Sequence, residues 1–135
     1  MNLENNWRQK TLENLEKDYW GNSTDESHLV KRCHELRKIP LDNFTTEDLR
    51  IMIGQQIGLN YLIPLALETF TIDLFAEGDF FEGDLLKNVL SIETGFWNSN
   101  KNYWLMLDNL IKDRRSEIES KKFDLANFDK SIHKH

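Results

Sequence analysis

Cysteine, proline and glycine are all scarce in this chain of 135 residues, and each scarcity excludes something. The single cysteine, Cys33, excludes an internal disulfide and is typical of a reducing compartment. With only two prolines and six scattered glycines, few positions interrupt regular helices. No GxxxxGK[ST] sequence is present, which argues against a phosphate-binding loop.

Long hydrophobic runs are also missing. No segment approaches the roughly 18–20 apolar residues that cross a bilayer, and the N-terminal MNLENNWRQK lacks the apolar stretch of a secretory signal. Hydrophobic residues make up 39% of the chain and charged residues 30%, which is a globular balance. We therefore expect a soluble, cytoplasmic protein with one domain over residues 1–135 and no contact with a membrane.

Basic residues are outnumbered, 17 against 23 acidic ones, so that the formal net charge is −6. This balance disfavours nucleic-acid binding, which needs clustered lysine and arginine. It favours encounter with a basic protein partner through long-range electrostatic steering.

Metal-binding patterns are not recognisable either. The four histidines form no HExxH motif, and Cys33 beside His34 lacks a CxxC partner. The tripeptide Glu-Gly-Asp occurs twice, at 77–79 and 82–84, without the alternating oxygen ligands of an EF-hand. We therefore expect no metal and no cofactor.

Apolar residues recur at helical spacing and strict alternation is almost absent, which predicts an all-α domain of about six or seven helices. The first helix is predicted over Leu12–Tyr19, ending at Gly21. The second ends near Ile39, because Pro40 follows.

A third helix begins at Thr45, which has capping-box spacing to Asp48, and is predicted to end at Gly58. The segment 60–74 is apolar nearly all round, which is typical of a central, buried helix. Pro64 is expected in the first turn of that helix, where its missing N–H costs little.

Three further helices follow. Asp84 is predicted to be the N-cap of a helix that begins at Leu85. The periodicity of Trp104–Ile118 indicates the longest amphipathic helix, and Asp124 is expected to cap a short last helix over Leu125–Ile132.

An acidic segment interrupts this pattern. No basic residue occurs from Ile51 to Leu86, and three phenylalanines accompany its later carboxylates. The acidic residues of this segment are Glu68, Asp73, Glu77, Asp79, Glu82 and Asp84. One interpretation makes the aspartates caps, the glycines turns at positive φ and the phenylalanines core. The other is an anionic patch with aromatic anchors for a basic protein.

Two further functions stay open on the residues alone. The carboxylates of EGDFFEGD have the chemistry for a small acid–base or metal-dependent enzyme. A helical adaptor is the third possibility. Against catalysis, no histidine lies near these carboxylates in sequence, and no lysine or arginine occurs between Arg50 and Lys87.

Several linked motifs in order resemble immunity proteins of bacterial contact-dependent growth inhibition systems. These motifs are PL, EDLR, IGQ.IGL, LIPLAL and EGDF..GDLL, followed by FW at Phe96–Trp97, and they span about Leu36 to Trp97. The resemblance implies a cytoplasmic antidote, not an enzyme, that binds the C-terminal toxin domain of a large surface-displayed effector. The toxins are often nucleases, and no small-molecule substrate is implied.

The resemblance also divides the acidic segment. Because members that neutralise different toxins share EGDF..GDLL, its residues Gly78, Asp79, Gly83 and Asp84 are better suited to holding the fold, although Asp79 is kept as a candidate contact. The toxin-binding candidates are Glu68, Asp73, Glu77, Asp79, Phe80, Phe81 and Glu82. The first helix and the helices after Trp97 remain alternative sites of toxin specificity.

Overall fold

Helices supply the regular structure in residues 5–21 and 27–131, the part of the chain that the computed structural model describes. No strand occurs in these ranges, so the predicted all-α class is confirmed. The helices are shorter and more numerous than expected. Those described are α1 (Leu12–Glu16), α2 (His28–Leu36), α3 (Thr46–Gly54), α4 (Leu59–Ile72), α5 (Asp84–Leu90), α6 (Thr94–Ser99), α7 (Lys101–Ile111), α8 (Arg115–Ser120) and α9 (Ala126–Asp129).

The central helix is α4, as its apolar sequence predicts. It packs against α3, α5 and α7, and one edge, carrying Glu68 and Ile72, faces solvent. Its buried face consists of Leu62, Ile63, Ala66, Leu67 and Phe70. This face belongs to one hydrophobic cluster that extends from Trp7 to Phe128, so the described residues form a single compact domain.

The capping box at the start of α3 is confirmed. The Asp48 N–H donates to Thr45 Oγ1 at 3.1 Å, and the Thr45 N–H donates to Asp48 Oδ2 at 3.0 Å. The predicted end at Gly58 is wrong, because α3 ends at Gly54. Gly58 has φ +67° and is the N-cap of α4. Its left-handed conformation therefore begins a helix rather than ending one.

Two predictions about α4 and α1 are also wrong. Pro64 is the sixth residue of α4, not part of its first turn, and cannot donate to the carbonyl of residue 60. Helix α1 ends at Glu16, where Lys17 adopts φ +54°, so Tyr19 lies outside it and is exposed. Gly21 has positive φ but is not the helix end.

The buried Arg37 holds the segment that follows α1. Its Nη1 donates to Glu16 Oε1 and its Nη2 to the carbonyl of Asp18, both at 2.6 Å. Its guanidinium carbon lies 4.3 Å from the ring centroid of Trp20. Arg37 directly follows α2, which ends at Leu36, slightly before the predicted boundary. It therefore ties the start of the chain to α2.

The predicted long helix over Trp104–Ile118 is divided in the structure. Helix α7 ends at Ile111, a 3₁₀ turn covers Lys112–Arg114, and α8 follows. The longest described helix is α4, with 14 residues. Arg115 bridges the break, since its Nη2 lies 3.6 Å from Asp108 Oδ1 and 2.6 Å from Asp129 Oδ1.

The last described helix, α9, begins at Ala126, whose N–H donates to Asp124 Oδ1 at 2.8 Å, close to the predicted cap. Phe128 is fully buried, and Trp104 stacks on it with ring centroids 4.9 Å apart. Ile132, expected in this helix, lies outside the described residues.

Candidate functional site: an aromatic loop over a buried carboxylate

Residues 77–83, which we call the aromatic loop, are held from beneath by the buried carboxylate of Asp84. The Gly78 N–H donates to Asp84 Oδ1 at 2.7 Å. The N–H groups of Phe80 and Phe81 donate to Asp84 Oδ2 at 3.0 and 3.3 Å. A charged acceptor strengthens such bonds, so this one side chain fixes the backbone of the loop.

The predicted N-cap role of Asp84 is wrong in position. Asp84 is the first residue of α5, and the N-cap is Gly83 at φ +86°, without a side-chain cap. The carboxylate of Asp84 instead turns back toward the preceding loop. Asp84 is only 2% exposed, which agrees with the interpretation that this residue holds the fold.

Helix α3 supplies the second support of the loop. Arg50 donates to both carboxylate oxygens of Glu47, at 2.7 and 2.6 Å, and its Nε lies 3.8 Å from Asp84 Oδ2. Glu47 Oε1 also accepts the N–H of Asp79 at 2.8 Å. The hydrogen bonds from Arg50 lower the pKa of Glu47, which keeps this carboxylate charged.

The two loop glycines serve different purposes. Gly83 adopts positive φ, as predicted for a turn glycine. Gly78 does not, and here the prediction of positive φ is wrong. A Cβ at Gly78 would lie 2.5 Å from Glu47 Oε1 and 3.2 Å from Asp84 Oδ2. Gly78 is therefore needed for close approach to the two carboxylates.

Two phenylalanines project from this support. Phe80 is 69% exposed, with the guanidinium carbon of Arg50 4.1 Å from its ring centroid. Phe81 is 40% exposed, and its ring centroid lies 6.4 Å from that of Phe123. Phe75, in contrast, is buried. The core interpretation therefore fits Phe75 and does not fit the two loop phenylalanines.

The acidic segment meets cations that are distant in sequence. Lys121 Nζ lies 2.7 Å from Glu82 Oε1, and this hydrogen bond lowers the pKa of Glu82. Arg8 donates to both carboxylate oxygens of Glu68. Arg50 Nε lies 3.8 Å from Asp84 Oδ2, so the fold partly neutralises a segment that has no basic residues of its own.

The structure brings five of the seven toxin-binding candidates together, namely the loop residues Glu77, Asp79, Phe80, Phe81 and Glu82. Glu68 borders other clefts, next to Arg8. Asp73 follows α4 directly, and its Oδ1 accepts the N–H of Phe75 at 3.1 Å. The candidates therefore do not form one continuous anionic patch.

A groove of about 810 Å³ adjoins the loop, between Phe80 and helices α2 and α3. Sequence reasoning missed its other residues, which include Leu29, Arg32 and Glu35 on α2. Arg32 crosses between the helices, with its Nη2 3.1 Å from Asp48 Oδ1. Leu29 is 41% exposed, which its helical spacing to Cys33 and Leu36 does not reveal, so the sequence carried no signal of the groove.

Two carboxylates at the loop have cation partners. Hydrogen bonds from Arg50 and Lys121 lower the pKa values of Glu47 and Glu82, whereas a general acid near neutral pH needs a raised pKa. Among residues 5–21 and 27–131, no group of three or more His, Cys, Asp or Glu side chains is arranged to hold a metal ion. The geometry favours presentation of aromatic side chains on a rigid support.

The described helices include none that is long and apolar enough to cross a bilayer. Fold and site together define a small all-helical protein that displays a braced aromatic loop beside a charged groove. The chain belongs to the family of CDI immunity proteins, the antidotes of contact-dependent growth inhibition, whose sequence model matches residues 14–107. No curated protein and no solved structure matches it significantly.

Proposed function

We propose that this protein binds and neutralises one cognate toxin domain, located at the C-terminus of a large surface-displayed effector. It acts in the cytoplasm, as a stoichiometric inhibitor without catalysis of its own. The observation that carries the proposal is the family match, which covers more than half of the chain. Nucleic acid, membrane and small-molecule substrates play no part in this function.

The proposed toxin-contacting residues are Glu68, Asp73, Glu77, Asp79, Phe80, Phe81 and Glu82. Exposure of Phe80 and Phe81 supports this set, since aromatic side chains on rigid supports make effective interface anchors. Because Asp84 and Glu47 already hold the loop, little conformational freedom is lost on binding.

The proposed target is a nuclease, inhibited by steric occlusion of its active site. Nuclease active sites are basic, because they bind phosphates. The formal net charge of −6 supports attraction to such a surface. The charge raises the association rate, while buried anchors determine how long the complex lasts.

Sequencing the gene immediately upstream tests for an effector reading frame, and co-expression with the C-terminal domain of that effector tests the proposal. We expect an equimolar complex on size-exclusion chromatography and protection that saturates when inhibitor equals toxin. The double variant Phe80→Ala, Phe81→Ala should weaken the complex at least about a hundredfold. The control Leu105→Ala, at a side chain that is 51% exposed on α7, should bind normally.

Protection at far less than one inhibitor per toxin would contradict the proposal, as it would indicate turnover. A stable complex with a protein unrelated to any toxin would point instead to a helical adaptor. Nuclease assays on the free and bound toxin domain test the occlusion step separately.

A further inference from the structure

The groove beside the aromatic loop has walls from three elements. Helix α2 contributes Leu29 and Arg32. Helix α3 contributes Glu47, together with Gln55 at the C-cap of that helix, and the aromatic loop contributes Phe80. The groove is partly open to solvent, and its volume of about 810 Å³ is large enough to receive several side chains of a partner. It lies directly against residues already proposed to contact the toxin.

The charges that line the groove are unequal. Two guanidinium groups, Arg32 and Arg50, face four carboxylates, Glu35, Glu47, Asp48 and Asp79. Both arginines are already occupied, Arg32 by Glu35 and Asp48 at 3.1 Å each and Arg50 by Glu47 at 2.6 Å. The remaining charge of the groove is therefore negative.

Apolar surface accompanies this charge on two walls. Leu29 on α2 is 41% exposed and Phe80 on the loop is 69% exposed. An occupant that matches the groove therefore carries a positive charge next to an apolar side chain. An acidic or phosphorylated segment would be repelled by the excess of carboxylates over guanidinium groups, and both arginines of the groove are already paired.

We propose that the groove receives a protruding segment of the toxin domain that presents lysine or arginine beside an apolar residue. This inference rests on the proposed function and extends the toxin-binding surface from the loop onto α2 and α3. It adds Leu29, Glu35 and Gln55 to the surface that determines which toxin is bound.

Two substitutions test the groove while preserving its helices. Leu29→Ala removes apolar surface but introduces a better helix former. Gln55→Lys places a cation at the C-cap of α3, where the helix dipole tolerates it, and repels a basic occupant. The matched variant Gln55→Glu changes the same position with the opposite charge. Leu105→Ala on α7 is the control outside the groove, and it removes apolar surface as Leu29→Ala does.

Binding of each variant to the toxin domain is measured by surface plasmon resonance at low and high salt, with thermal melts to verify folding. We expect Leu29→Ala to raise Kd about tenfold. Gln55→Lys should slow association several-fold at low salt only, and Gln55→Glu should associate at least as fast as wild type. Leu105→Ala should bind with unchanged Kd.

A photo-crosslinking residue at position 55 then identifies the toxin segment. Capture of a segment with lysine or arginine supports the inference, and capture of an acidic segment, or of none, overturns it. If wild type binds toxin while Leu29→Ala and Gln55→Lys bind equally well, the groove inference fails and the proposed function stands. If wild type does not bind, the proposed function fails and the inference with it.

Discussion

Arg50 and Phe80, thirty positions apart, meet with the guanidinium carbon 4.1 Å from the ring centroid. The contact joins α3 to the aromatic loop and lies beside the Arg50–Glu47 ion pair. Phe80 nevertheless stays 69% exposed, so one face of its ring is supported and the other is available. An exposed aromatic held in this way is ready to bind with little loss of entropy.

The first prediction concerns Asp84. Asp84→Asn replaces a charged acceptor of three N–H groups with a neutral amide. We expect the free energy of unfolding to fall by about 1.5–3 kcal/mol in urea denaturation. Asp79→Asn, on an exposed side chain, should change it by less than about 0.5 kcal/mol. Equal effects of the two substitutions would show that Asp84 does not support the loop.

A second prediction compares two glycines. Residue 83 has a φ of +86°, and in Gly83→Ala the new Cβ would lie 2.9 Å from the ring of Phe123. We therefore expect the free energy of unfolding to fall by about 2 kcal/mol or more. At Gly95, in α6, an added Cβ would meet nothing within 4 Å, so Gly95→Ala should raise stability by up to about 1 kcal/mol. Thermal melts of both variants measure the difference, and similar melting temperatures would refute it.

The third prediction concerns pH. Arg50 lowers the folded-state pKa of Glu47 below its ordinary value of 4.5. The resulting stability is therefore fully present above that value and is lost as pH falls through the lowered pKa. We expect wild type to be more stable than Glu47→Gln at neutral pH, with the gap narrowing in acid. Urea denaturation across this pH range measures the gap, and a gap independent of pH would contradict the expectation.

A fourth prediction concerns the buried Arg37. Arg37→Met removes bonds to Glu16 and to the carbonyl of Asp18, and leaves that carbonyl without its charged donor. We expect the free energy of unfolding, measured by urea denaturation, to fall by about 3 kcal/mol. Arg114→Met, which breaks an exposed pair with Glu117, should cost less than about 1 kcal/mol. Comparable losses would mean that burial does not strengthen the Arg37 contacts.

Local sequence patterns predicted where helices occur better than they predicted the residues at which those helices begin and end. The apolar segment 60–74 identified the central helix, and the spacing of Thr45 and Asp48 identified the start of α3. The role of Gly58 could not be predicted, because a left-handed glycine suits the end of one helix and the start of the next equally well. The break after Ile111 was also hidden, since the apolar period continues through it to Ile118.

The candidate site was predicted only in part. The doubled Glu-Gly-Asp and its phenylalanines marked the aromatic loop. The groove could not be found in this way, because α2, α3 and the loop meet only through tertiary packing. No spacing in the chain relates Leu29 to Phe80.

The sequence by itself determined the all-α class, the central apolar helix and the family, because these depend on local periodicity and on motifs in order. Only the tertiary structure decided how the acidic segment is used. Electrostatic interactions act through space, so Arg8, Arg50 and Lys121 offset carboxylates of the acidic segment that lie far from them in sequence. The fold thereby turned an apparent anionic patch into a supported aromatic loop beside a negatively charged groove.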